Sequence, residues 1–286
     1  MILTLVFSTA AAAASVPTQS DVAAPSSQVE EFIIEVSYET RSKGDNGSSS
    51  SSNGRYMYTE RILQETGDCT TKRFDIAGED RPLAEWQWPV EVERCSDGII
   101  RLLNTAEMEA RRDAFHAEAG IEKAACGSYY FTWNVFKIEC DPEAILETIE
   151  TIDLEGLELI DGSEYQHGTS SMRLSRDELS DPGSPLGASI EVDADEVRRA
   201  EAKTIVIFGE LQGEPVDEEE AMQRVQAIEV TGTTRITFVF AEPGEITRTV
   251  VTEAEVSDPA EGLENRYSKT VTKRKKAGSQ SLRPSS

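Results

Sequence analysis

Histidine is nearly absent. His116 and His167 are the two in 286 residues. Neither stands in an H-E-x-x-H motif, and the chain has no G-x-S-x-G, P-loop or dinucleotide glycine pattern. The signatures of zinc proteases, serine hydrolases and nucleotide-binding enzymes are therefore missing, and no cofactor is assigned. Basic residues are scarce, 28 against 53 acidic, for a formal net charge of −25. Such a body repels nucleic-acid phosphates, so DNA and RNA are disfavoured as partners. The four cysteines lack C-x₂-C spacing, which disfavours a zinc site. Residues 138–172 are rich in carboxylates and free of Lys and Arg. They contain no D-x-[DN]-x-[DN]-G loop for calcium, and Glu143, Glu147 and Glu150 read as the solvated face of a helix.

What is present points first to a compartment. Residues 1–16 read MILTLVFSTAAAAASV, without a charge, and the first basic residue is Arg41. Ile2 to Phe7 supplies a short apolar stretch and Ala12-Ala13-Ala14 an A-x-A site, predicting a signal peptide over 1–14 cleaved before Ser15. The basic start of a full signal is missing, and the bland alternative is a disordered apolar N-terminus. The stretch is too short for a membrane span. Cys69, Cys95, Cys126 and Cys140 form an even set, as disulfides in an oxidising compartment would. The predicted localisation is periplasmic or secreted.

Residues 15–27, rich in Ser, Pro, Ala and Thr, read as a disordered linker. A single β-rich domain follows over 28–272, divisible into lobes at 28–152 and 153–272. Residues 273–286 read as a disordered basic tail. Residues 266–286 carry seven basic side chains and no acidic one, so the alternative for this end is weak contact with an anionic membrane surface or the acidic body.

Alternating apolar residues predict strands at 32–38, 55–63, 69–76 and 86–95, with the Ser-rich 43–54 as a flexible loop. Ile99 to Leu103 follows after a tight turn. Thr105 to Ala119 is a clear helix, with Asn104 or Thr105 as cap and Gly120 at its end. Its two small-and-large apolar sides predict packing on both. A second helix begins at Asp141-Pro142. Beyond it the pattern predicts strands at 154–160, 164–174, 188–192, 197–211, 224–230, 233–240, 246–256 and 263–272. The fold class is α+β, mostly β: a large antiparallel, curved sheet with two helices inserted midway.

If 69–76 and 86–95 form a hairpin, Cys69 falls opposite Cys95, leaving Cys126 to pair with Cys140. Fourteen residues of straight strand would span about 45 Å, against about 5–6 Å between bridged Cα atoms. The chain must therefore bend between Gly127 and Asn134. Trp86 and Trp88 share one strand face and are candidate ligand-facing aromatics, able to stack on a sugar or acyl chain; core or edge packing is the commoner role of such a pair, and Pro89 favours an edge. His116, three residues after Asp113, and His167, in SEYQHGTSS, read as exposed polar side chains.

The leader MILTLVFSTAAAAASV, the junction CDPEAILETI and the segment GASIEVDADEVRRAEAKTIVIF together resemble uncharacterised exported proteins of Gram-negative bacteria. The architecture is also similar to curved-sheet periplasmic carriers of lipidated proteins, which would imply binding of an apolar ligand. The function expected is non-enzymatic binding of a small apolar ligand or a protein partner. The alternative is an extracytoplasmic hydrolase using acidic residues.

Overall fold

The computed structural model describes residues 30–78, 84–96, 98–132, 134–155, 157, 159–176 and 185–278. The expected leader at 1–14, the linker at 15–27 and the last residues of the basic tail lie outside the described residues.

The N-terminal half contributes β1 (Glu31–Gly44), β2 (Ser49–Thr66), β3 (Cys69–Ile76), β4 (Val90–Cys95) and β5 (Ile100–Leu102). Helix α1 (Thr105–Ala119), the short hairpin β6 (Tyr129–Phe131) and β7 (Val135–Lys137), and helix α2 (Ile145–Ile152) follow. The C-terminal half holds β8 (Glu164–His167), β9 (Ser170–Arg173), β10 (Ser175–Arg176) and β11 (Leu186–Glu191). Helices α3 (Ala194–Gln212) and α4 (Glu218–Val225) come next, then β12 (Glu229–Phe240), β13 (Ile246–Asp258) and β14 (Gly262–Lys276). Ten strands form one antiparallel sheet in the order β10-β11-β12-β13-β14-β1-β2-β3-β4-β5, open at both edges. The first and last long strands pair at its centre, so both halves of the chain share one hydrogen-bonded layer.

The predicted mostly-β antiparallel architecture is present, and four departures have physical causes. First, residues 197–211 form a helix, not a strand. Asp193 accepts from the Asp195 and Glu196 amides and starts α3, whose DEVRRAEAK opening is rich in helix formers. The β-branched TIVIF run lies in its second half and buries one side. Helix α4 then occupies the start of the expected 224–230 strand, so two helices follow the two inserted midway. Second, the Ser-rich loop shrinks to a tight turn. Ser49 to Ser52 pair with Lys43 to Thr40, because the ladder uses backbone groups that any side chain leaves free. Third, the basic tail begins later than Lys273. Lys273 to Lys276 pair with β1, and Arg274 is buried. Fourth, residues 154–160 form no strand in their described part.

All four helices pack on one face of the sheet. On that face Ile34, Phe74, Val90 and Val92 meet Met108 of α1 and Ile145, Ile149 and Ile152 of α2. Leu174, Leu186, Ile236 and Phe238 gather beneath the β8–β9 hairpin with Tyr165 and Met172. Ala202, Ala221 and Val225 of α3 and α4 close over Ile228 and Val256. The alanine side of α1 is exposed, so this helix packs on one side only. The opposite sheet face carries alternating charges, among them Arg55 paired to Glu35 and Arg73 paired to Glu91.

Both predicted disulfides are present. Cys69 and Cys95 are directly opposed across β3 and β4. Cys126 joins Cys140 with Cα atoms 5.6 Å apart, and the β6–β7 hairpin supplies the required bend.

Candidate functional site

The loop that leaves α2 lies over the sheet as an ionic strap. Lys72 on β3 is fully buried, and its Nζ lies 2.8 Å from Asp153, 2.8 Å from Glu155 and 3.2 Å from Glu60 on β2. Arg94 on β4 donates to the other Asp153 oxygen at 2.8 Å. Arg274 on β14 donates to Glu60 at 2.6 Å, reaches Glu155 at 3.2 Å and stacks on Phe32. Arg248 on β13 donates to the Thr151 carbonyl at 2.5 Å. Cations from four strands thus hold residues 151–155. Burial pushes the Asp153 carboxyl up, but Lys72 and Arg94 outweigh it and hold it below the usual range. At Glu60 burial wins over Lys72 and Arg274, and its pKa is raised.

Across the sheet from the strap, α3 lies over the far ends of the strands. Its Glu201 pairs with Arg266 on β14 at 2.5 Å, and Val197 and Ala202 pack on the apolar cluster there. Between strap and α3 the helix-bearing face is incompletely covered, and two rows of side chains form the floor of a trough. One row runs Gly54, Tyr38, Thr270, Val250, Ile236 across β2, β1, β14, β13 and β12. The next runs Ser52, Thr40, Ser268, Thr252, Thr234 across the same strands, an unbroken line of hydroxyls. Adjacent strands lie about 4.8 Å apart; along the line the hydroxyls of buried Thr234 and of Thr252 bond each other at 3.0 Å and Thr40 donates to the Ser52 carbonyl at 3.5 Å. Tyr38, Val250, Thr252, Ser268 and Thr270 are half-buried, while Thr40 and Ser52 are exposed.

An aromatic pair stands at one end. The Tyr38 ring lies across Gly54, where no Cβ would fit, and stacks on Tyr56 with centroids 6.1 Å apart. Tyr56 is 53% exposed. The other end deepens into a cavity of about 260 Å³ lined by His167, Ser170, Glu196, Val197, Thr234 and Thr252, among others. Ser170 faces His167 across the two-residue turn of β8–β9. His167 is half-buried, and burial followed by the charge of Arg248 lowers its pKa.

Trp86 and Trp88 are 5% and 4% exposed and belong to the main core, Trp88 against Tyr58. The exposed stacking surface on the sheet is instead Tyr38 and Tyr56. His116 is buried, not exposed, with Nε2 3.8 Å from the Cys140 sulfur. His116, Cys126 and Cys140 converge as metal ligands would. Both sulfurs are consumed in a disulfide, so the thiolates a metal needs are not available. The carboxylates of 138–172 do not act together: Asp153 and Glu155 enter the strap, while Glu143, Glu147 and Glu150 are exposed. The trough residues come from two segments far apart in sequence, β1–β2 and β12–β14. One signal was legible: Arg248 occupies an inward position of β13 between Ile246 and Val250, where an apolar side chain is the rule.

No helix among the described residues is long and apolar enough to cross a membrane. No protein-family model and no curated protein matches the chain. Among solved structures, one described as lipid–protein interactions in lipovitellin is 10% identical with a TM-score of 0.36, over 90% of this chain and 26% of that one. A conserved protein of unknown function with a hot dog fold from Alicyclobacillus acidocaldarius is 10% identical with a TM-score of 0.12, over 88% of this chain and 81% of that one. At these scores neither likeness carries an argument about fold or ligand.

Proposed function

We propose that this protein is an exported, non-enzymatic binding protein that holds a small amphipathic ligand in the trough between strap and α3. One observation carries the reading: the floor rows through Tyr38, Val250 and Thr252 stay half-exposed on a face that helices cover elsewhere. An apolar surface of the ligand lies on Tyr38, Tyr56 and Val250, and its polar edge meets the hydroxyl line. Pockets of this kind combine an apolar lining with a few placed polar groups. The two disulfides support export, since such bonds persist in oxidising compartments. The hydrolase alternative needs carboxylates converging on open space. Glu60, Asp153 and Glu155 do converge, but each is bonded to Lys72, and Glu60 and Asp153 are shut away from solvent.

Calorimetric titration with decanol, decanoate, galactose and galacturonate tests the reading. At least one should bind the native protein, and Val250→Trp, which fills the trough, should abolish that binding with an unchanged far-ultraviolet circular dichroism spectrum. If none binds, or if Val250→Trp leaves binding intact, the trough is not the site.

A further inference from the structure

We infer that the ligand of the trough carries a carboxylate and that Arg248 is the residue that receives it. This rests on the trough reading and names the chemistry of its occupant. Arg248 is 6% exposed. Its Nη1 donates to the Tyr165 hydroxyl at 3.1 Å, and its Nη2 to the Thr151 carbonyl at 2.5 Å and the Thr272 hydroxyl at 3.4 Å. All three acceptors are neutral. Nε is buried and has no hydrogen-bond partner. Among the described residues, no carboxylate lies within ion-pair distance of this guanidinium.

That is anomalous in this chain. The other buried cations are compensated: Lys72 by three carboxylates, Arg274 by two. Acidic side chains outnumber basic ones 53 to 28, so scarcity of carboxylates is not the cause. A buried charge without a counter-ion gives up its hydration, and Arg248 recovers only neutral hydrogen bonds and the partial negative charge at the C-terminal end of α2, where buried cations are otherwise paired or serve a ligand. The orphan Nε–H offers a carboxylate one bond, and the parallel second bond comes from Nη2 once the carboxylate replaces the Thr272 hydroxyl, the longest of its contacts at 3.4 Å. A phosphate dianion would need further cations, and the nearest one on this face, Arg274 diagonally across on β14, is already paired with Glu60 and Glu155.

Position connects Arg248 to the trough. It precedes Val250 and Thr252 on the same face of β13, one row from the floor. Its charge is felt at His167, which lines the deep end. Tyr165 above it belongs to the β8–β9 hairpin, a separate two-stranded sheet. An anion reaching Nε must displace Tyr165 from the apolar cluster it shares with Leu174, Leu186 and Phe238.

The four-compound titration decides the matter on the native protein. Decanoate should bind about tenfold or more tighter than decanol if the source is an acyl chain, or galacturonate than galactose if it is a sugar acid. Equal affinities for acid and neutral partner would overturn the Arg248 assignment and leave the trough reading standing. Absence of all binding would remove both. Arg248→Met should erase the preference for the acid while retaining affinity for the neutral compound. If that variant does not fold, nuclear magnetic resonance on the native protein gives a second readout. Burial first and Arg248 second depress His167, and a carboxylate seated at Arg248 offsets the second, so the His167 titration midpoint should be higher with the acid bound than with its neutral counterpart bound. A His167 midpoint equal in the acid-bound and neutral-bound protein would reject the assignment.

Discussion

Lys72 and its three carboxylates show how neighbouring residues in one cluster can depend on pH with opposite sign. Asp153 is held below its unfolded value of 3.8 by Lys72 and Arg94 against the upward push of burial. Its contribution to stability is therefore present above about pH 3.8 and lost as pH falls through the lower folded value. Glu60 is raised above 4.5, mainly by burial. Its contribution is complete below pH 4.5 and declines as pH rises through the folded value. Asp153→Asn should thus cost about 3–5 kcal/mol at pH 7, because it leaves Lys72 and Arg94 short of a partner in the interior. It should also flatten the acid limb of a stability–pH curve measured by urea melts. Glu60→Gln should gain on the native protein as pH is raised from 4.5. If both variants shift the curve in the same direction, the division of roles within the cluster is wrong. None of this was legible in the sequence, which places Glu60, Lys72 and Asp153 in three separate segments.

Helix α3 marks where local pattern was read in the wrong period. The run TIVIF is β-branched and aromatic, and it invites assignment as a strand. The stronger information lay upstream, in a capping aspartate followed by acidic residues and helix formers. The Asp193 carboxylate also accepts from Thr169 at 2.7 Å, tying α3 to the turn of the β8–β9 hairpin beside the His167 cavity. That bond, first among several, holds its pKa down. Asp193→Ala should therefore speed amide exchange at Asp195 and Glu196 and loosen the Gly168–Thr169 turn together. Faster exchange confined to the helix would show that the cap and the hairpin are not coupled. The α1 boundaries were legible because Gly120, at φ 65°, ends the helix in a conformation that suits glycine. Its cap was not. Asn104 makes no capping bond and instead joins the Glu91 amide and the Pro89 carbonyl.

At the scale of the molecule, a net charge of −25 is spread over turns, helix faces and one open sheet face. Like charges repel over about 8–10 Å at moderate ionic strength, so the melting temperature should rise from low salt to about 0.15 M sodium chloride. Calcium at matched ionic strength should act as sodium does, because the exposed carboxylates of α2 lie in a solvated row rather than in a ligand loop. A calcium-specific rise of several degrees in a thermal melt would contradict that account. Buried cations on the helix-bearing face offset part of the excess where it would cost most, at the strap.

The sequence by itself determined the antiparallel β class and the position of α1 and α2, and it favoured the two disulfide pairings on condition of the 69–76/86–95 hairpin. Each of these follows from local periodicity, turn chemistry or the reach of a short segment. Tertiary structure alone decided which face of each strand the helices would cover. It therefore decided that Trp86 and Trp88 belong to the core while Tyr38 and Tyr56 meet solvent. It also joined β1 to β14 at the centre of the sheet, which aligned the hydroxyls of β1–β2 with those of β12–β14 and set Arg248 beside them. The physical reason is that register and layer order depend on contacts between segments far apart in the chain. Such contacts leave no periodic trace within any one of them.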